Sequence, residues 1–366
     1  MPNRDQAAAP VPATIEVTGT VQQQAWSDNV FPPVERVRPG LWSIPVPIPQ
    51  NPLRYVLVYA FELDDGIALV DAGWPTDDAW DTLVAGLSTA GFGPADVRAV
   101  LVTHIHPDHY GLAGRLREAS GAWIGMHPAD ATLLQARYRT IESLVDAQRH
   151  MLAESGVPDG ELPDLSEASL GIRTLLGNPA DPDIMLDDGD EPELAGWRLR
   201  VLWTPGHSPG HICFYDPDRR LLLSGDHVLP RITPNVSAHT QQRANPLADF
   251  LDSLARVAAL DVEEVLPAHE YRFAGLATRV DHLIHHHEER LLEIEQVLDA
   301  QPGASTWELT LRLSWSRSWE EIPHYMRRAA VGETLAHLLL LDHRGRVKGE
   351  GRAPVRWYRA ENHTSR

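Results

Sequence analysis

Four metal-capable side chains fall within six residues at His104-Ile105-His106-Pro107-Asp108-His109. Neutral imidazoles beside a carboxylate suit a borderline-soft divalent ion, zinc foremost, with manganese or iron also accepted. Three more donors of these types follow: His207 in Thr204-Pro205-Gly206-His207-Ser208-Pro209-Gly210-His211, Asp226 after Leu221-Leu222-Leu223-Ser224-Gly225, and His269 after Val265-Leu266-Pro267-Ala268. A solvated His-rich turn would account for the first cluster alone. It does not account for the recurrence. Each donor follows an apolar run that reads as a buried strand, and layered α/β proteins gather ligands beyond the carboxyl ends of their strands.

Taken together, His104, His106, Asp108, His109, His207, Asp226 and His269 resemble the ligand set of the metallo-β-lactamase-fold hydrolase superfamily, in its binuclear, glyoxalase II-like branch, over roughly residues 34 to 275. The resemblance implies an α/β fold of the four-layer αβ/βα sandwich type. It also implies two divalent metal ions, one on His104, His106 and His207, the other on Asp108, His109 and His269, with Asp226 bridging. Water shared by two such ions loses a proton near neutral pH. The expected chemistry is therefore attack of a bridging hydroxide on a carbonyl, with the oxyanion stabilised by the ions and Asp108 orienting the nucleophile or passing a proton to the leaving group. Asp71 matches a superfamily aspartate that steadies a ligand histidine through its second nitrogen; aspartates at such places also cap helices. Tyr110, beside His109, and His239, in the loop after Asp226 with Arg231 and Asn235, are candidate substrate contacts. A packed tyrosine and exposed loop side chains are the plainer readings. His127 adds little to a ligand set already complete, and His211 has no evident role.

The elements that must position these groups follow from pattern. Val97–Val102 precedes the His cluster as a strand, and Tyr55–Leu63 with Gly66–Asp71 form a hairpin around Asp64-Asp65-Gly66. Val37–Pro45 reads as a short edge strand limited by its prolines, Ala122–His127 as another strand, and Trp197–Trp203 as a half-exposed one. Asp77–Ala90 and Asn245–Leu260 have helical spacing. Residues 128–195 are a helical insertion between the ligand clusters, with helices over Ala129–Ser155 and Pro163–Leu176, expected to cover the site as a lid or to pack on the domain. Residues 1–33 read as an extension, partly disordered at its start. Residues 276–366 read as a separate tail: a long helix Val280–Ala300, Thr306–Leu313, Arg327–Leu341, and a β-turn-β wing at 344–358. This tail resembles the winged-helix-like tail of some superfamily hydrolases, the endoribonuclease-like branch included. The histidines His282, His285, His286 and His287 read as solvated helix surface rather than as a second metal site.

With 51 acidic against 32 basic residues the chain carries a net charge of -19. Phosphate backbones and anionic membranes are repelled by such a body. The last 27 residues, however, hold seven Arg or Lys against three acids. An endoribonuclease-like phosphodiesterase using the wing is therefore the rival reading, and a structural or homodimer-forming tail the favoured one. Cys213 is the single cysteine, so no intramolecular disulfide forms; its place in a strand argues against a covalent route. No apolar run spans a bilayer and no signal pattern opens the chain, so the expectation is a cytoplasmic protein without membrane partners. No cationic anchor stands near the ligands in sequence, which leans the substrate towards a small-molecule ester, thioester or lactone. A non-hydrolytic di-iron redox member would require a flavin partner domain, and none is visible in the sequence.

Overall fold

The computed structural model describes residues 14–139, 141–162 and 179–360. Strand β1 (Glu16–Val17) is followed by a first sheet of β2 (Glu35–Arg38), β3 (Leu41–Pro47), β4 (Tyr55–Leu63), β5 (Gly66–Val70), β6 (Val97–Leu101), β7 (Trp123–Met126) and β8 (Ile184–Met185), in that spatial order. The second sheet runs β1, β13 (Phe273–Ala274), β12 (Glu264–Pro267), β11 (Leu221–Gly225), β10 (Ile212–Asp216), β9 (Arg200–Trp203). Alternation along β4 shows how the layers form. Tyr55, Leu57, Tyr59 and Phe61 face the second sheet, meeting Val201, Phe214, Leu223 and Leu266. Val56, Val58 and Ala60 face the other way, onto Leu83 and Leu87 of helix α1 (Asp77–Thr89) and Leu116 of the helix Ala113–Ser120. The second sheet repeats the arrangement with Cys213, Leu222 and Val265 against Phe250 and Leu254 of the helix Pro246–Ala258. The result is the expected αβ/βα sandwich. The outer helices begin where side chains cap them: Thr76 accepts from the Ala79 N–H and Asn245 from the Ala248 N–H.

One strand differs from expectation. Residues 41–47 are not an edge strand; Glu35–Arg38 folds back at Gly40 (φ 76°) and takes the edge. That pairing stops at Ser43, however, so Pro45 and Pro47 lie beyond it, where no partner asks for their missing N–H.

Residues 14–33 are built into the sandwich. Glu16–Val17 pairs with β13, and Gln22 donates to Ser43. Within the insertion, a short helix Pro128–Ala131 and a turn of π-helix at Gln135–Arg139 lead to a helix Ile141–Glu154. Leu152 of that helix, with Val157 and Leu162 after it, packs with Trp307 and Val331 of the C-terminal elements. The expected helix at 163–176 lies outside the described residues.

The C-terminal elements are helices Leu276–Ala300, Thr306–Thr310 and His324–His343, then a hairpin of β14 (Val347–Glu350) and β15 (Arg356–Arg359). Leu283, Leu291, Ile294, Leu338 and Trp357 share one core with Cys213, Leu222 and Phe250 of the sandwich. The histidine run of the long helix divides: His285 is exposed, His282 and His286 are half-buried, and His287 is buried, its Nδ1 3.1 Å from Nε2 of buried His337. No helix among the described residues is long and apolar enough to cross a membrane.

Candidate metal centre

The seven candidate donors converge at the ends of strands from both sheets. Three imidazole nitrogens meet first: His106 Nδ1 lies 2.9 Å from His104 Nε2 and 3.0 Å from His207 Nε2. Beside them Asp108, His109 and His269 form a second group, with Asp108 Oδ2 3.5 Å from the Nε2 atoms of both histidines. Asp226 stands between. Its Oδ2 is 3.5 Å from His207 and 4.0 Å from His104, and its Oδ1 is 3.1 Å from His269 and 3.6 Å from His109.

The back of each ring decides what its front can do. His109 Nδ1 donates to Asp71 Oδ2 at 2.8 Å, His269 Nδ1 to the Tyr55 carbonyl at 2.8 Å, and His207 Nδ1 to the Asn235 carbonyl at 2.7 Å. Each Nε2 is thereby left as a bare lone pair aimed at the centre. His109 Nε2, His269 Nε2 and Asp226 Oδ1 are buried without a hydrogen-bond partner. Such orphans are costly unless a cation takes their lone pairs. Burial, reinforced by neighbouring histidines, drives the His104 and His106 imidazoles well below their ordinary pKa, so protons compete poorly for those nitrogens. The residues fit a site for divalent metal.

Residues 51–269 match the family model of the metallo-beta-lactamase superfamily. The chain belongs to this superfamily. A metallo-beta-lactamase family protein of Thermus thermophilus superposes with a TM-score of 0.77 at 35% identity, covering 88% of this chain and all of that one. A beta-lactamase domain protein from Burkholderia ambifaria gives 0.78 at 28% identity, over 94% and 98%. Among curated relatives, the probable metallo-hydrolase YqjP of Bacillus subtilis is 26% identical over 68% of this chain and 77% of its own length. The lactamase-like protein vrtG of Penicillium aethiopicum is 31% identical, and the human acyl-coenzyme A thioesterase MBLAC2 28% identical, each over 48% of this chain. Those two matches span only 52% and 57% of the relatives' own lengths.

Within this superfamily framework, supporting residues emerge that sequence reasoning passed over. Asp130 is fully buried; Oδ2 accepts from the Ile105 N–H and Ser208 Oγ, and Oδ1 from the Gly210 N–H. It ties the His104–His109 loop to the His207 loop. His211 accepts at Nε2 from the Asp226 N–H (3.1 Å), and Thr103 donates through N–H and hydroxyl to Asp71. Asp71 adopts φ 66°, a left-handed conformation that aspartate tolerates, and serves His109 rather than a helix end. The signal for His211 was present in its spacing from His207; nothing local marked Asp130.

The candidate substrate contacts fare differently. Tyr110 packs in the core on the helix side of the first sheet. His239 is half-buried beside the centre, and burial, then Arg137 and Arg328, push its pKa down to about 3. Asn235 serves through its carbonyl, Arg231 pairs with Glu270, and His127 stacks on Trp203 at 5.1 Å. Arg137 bears electrostatically on His106, and Arg137 and Arg328 both bear on His239, one from the insertion and one from the last long helix. Neither is near the ligands in sequence.

Proposed function

We propose that this chain is a binuclear metal-dependent hydrolase of small-molecule acyl esters, thioesters or lactones. The observation that carries the reading is Asp226, whose two oxygens face separate histidine groups. His104, His106 and His207 would hold one ion, Asp108, His109 and His269 the other, and zinc suits the imidazole-rich donors best. Bound there, two divalent ions acidify a water and polarise a carbonyl oxygen. The chain's own residues supply the rest. Asp71, Tyr55 and Asn235 fix the histidine tautomers through Nδ1. Asp108, not needed as the bridge, would orient the attacking water and hand a proton to the leaving group. Cys213, buried with its thiol pushed up to about 12 by desolvation, supplies no nucleophile.

Among acyl substrates a thioester is favoured, since MBLAC2 is named as an acyl-coenzyme A thioesterase. The nuclease alternative is weakened by the wing's own chemistry. Arg344 pairs with Glu288, Arg346 and Arg359 with Glu295, Lys348 with Glu350, and Arg356 with Glu308, leaving little net charge for a phosphate backbone.

The test is elemental analysis of protein purified without added metal, paired with p-nitrophenyl ester, thioester, lactone and RNA substrates. About two zinc ions per chain with acyl hydrolysis, lost on chelation, is the expected result. Two irons without hydrolysis, or RNA cleavage alone, would overturn it.

A further inference from the structure

Two arginines lie on elements, far apart in the chain, that both pack against loops carrying the candidate donors. Arg137 sits in the π-helical turn Gln135–Arg139, next to Tyr138, whose hydroxyl donates at 2.7 Å to the carbonyl of Ile105 between His104 and His106. Arg328 sits in the first turns of the helix His324–His343. That helix is clamped on the loop supporting His207: Ser237 Oγ donates to Ala329 O at 3.1 Å, and the Ala238 N–H to Gly332 O at 2.9 Å. In the same loop Asn235 accepts from His207 Nδ1. Gly332 permits the approach, since a Cβ there would fall 2.9 Å from Ser237 Cβ.

Among the described residues no carboxylate forms an ion pair with either guanidinium. Arg328 makes one hydrogen bond, to the neutral amide oxygen of Gln148 at 3.2 Å, from five N–H donors. Burial, then the charge of Arg137, pushes Arg328 down to about 10. Arg137 also bears on His106 and His239. Like charges withdrawn from water destabilise a fold unless an anion joins them. A groove of about 550 Å³ is lined by Met326 of the same helix with Arg54 and Arg317, and its described lining includes no acid.

We propose that Arg137 and Arg328 form an anion-binding subsite beside the metal centre, which holds a carboxylate or phosphate group of the substrate while its acyl carbonyl meets the metals. The inference rests on the hydrolase reading for the word substrate, but not for the anion. Paired guanidinia give forked hydrogen bonds to oxyanions. The substrate class narrows to an anionic ester or thioester.

Two measurements separate the claims. Binding of inorganic phosphate to the metal-loaded full chain is measured by calorimetry for the wild type, Arg137→Gln, Arg328→Gln and the Lys variants of both. Loss of one charged hydrogen-bonding partner should weaken it about tenfold or more in each Gln variant, with partial retention in the Lys variants. Thioesters of one acyl group are then compared, with a neutral thiol (N-acetylcysteamine), a carboxylate thiol (3-mercaptopropionate) and a phosphate-bearing thiol (coenzyme A). The ratio of kcat/KM for an anionic over the neutral thioester should exceed about ten and fall towards one in Arg137→Gln; the arm showing this ratio names the anion. Unchanged phosphate binding in Arg137→Gln and Arg328→Gln overturns the subsite whatever is hydrolysed. A wild-type ratio near one for both anionic thioesters also overturns it. Phosphate binding lost in the Gln variants, with no thioester cleaved, keeps the subsite and overturns the hydrolase reading. Should Arg328→Gln fail to fold, Arg137→Gln on the insertion turn decides.

Discussion

At the residue scale, the centre depends on what stands behind each imidazole. Asp71→Asn keeps the shape but offers an amide that can present its own N–H to His109 Nδ1, so the bare Nε2 is no longer assured. Loss of about 10- to 100-fold in metal affinity is expected, read by competition with a chelator. His106→Ala removes the nitrogen on which His104 and His207 converge; its metal content should fall below that of the wild type, and hydrolysis should be lost with it. A different histidine governs stability. His337 is fully buried and held neutral, its pKa lowered to about 3 chiefly by desolvation. Its folded pKa lies below its unfolded value of about 6.5, so the unfolded chain takes up more protons on acidification. The stabilisation is complete above about pH 6.5 and is lost as pH falls towards 3. His337→Gln should therefore soften the loss of stability between pH 7 and 5 by about 2 kcal/mol, measured by denaturant titration at both values.

At the element scale, strand ends and the loops leaving them are held by close approaches that tolerate little. Gly225 ends β11 with φ 51°, and a Cβ there would lie 2.7 Å from His211 Nε2 and 3.0 Å from Thr103 Cβ. Gly225→Ala should push His211 from the Asp226 N–H, costing on the order of 1–3 kcal/mol and a large part of metal affinity. Asp130→Ala strands the Ile105 and Gly210 N–H groups and the Ser208 hydroxyl. With about 1 kcal/mol or more for each buried group left unmatched, a loss of at least about 3 kcal/mol is expected by chemical denaturation.

At the scale of the whole molecule, the sandwich and its C-terminal elements share a core, so they should melt as one. Truncation after Gly275 removes Leu283, Leu291, Ile294 and Leu338 from the surface that Phe250 and Leu222 cover. The truncated chain should fail to fold, and the full chain should give a single calorimetric transition whose midpoint falls on chelation. A separate transition for the tail would show two cooperative units instead.

What the sequence determined by itself was whatever lies local along the chain. The seven donors each sit at the end of an apolar run, and runs of period two or 3.6 report their own burial, so β4, α1 and the donor set were legible. Asp71 was legible for the same reason, as a carboxylate closing a strand. Tertiary structure alone decided what depends on contact between distant segments. Asp130 joins the Ile105 loop, 25 residues back, to the His207 loop, 78 to 80 residues further on; His287 is buried against His337, 50 residues away. Leu41–Pro47 became interior only because Glu35–Arg38 turned back on it. Arg137 and Arg328, nearly two hundred residues apart, bear on each other only because the insertion and the last long helix pack together, where Arg328 donates to Gln148. Charge acts through space at distances that sequence separation does not report.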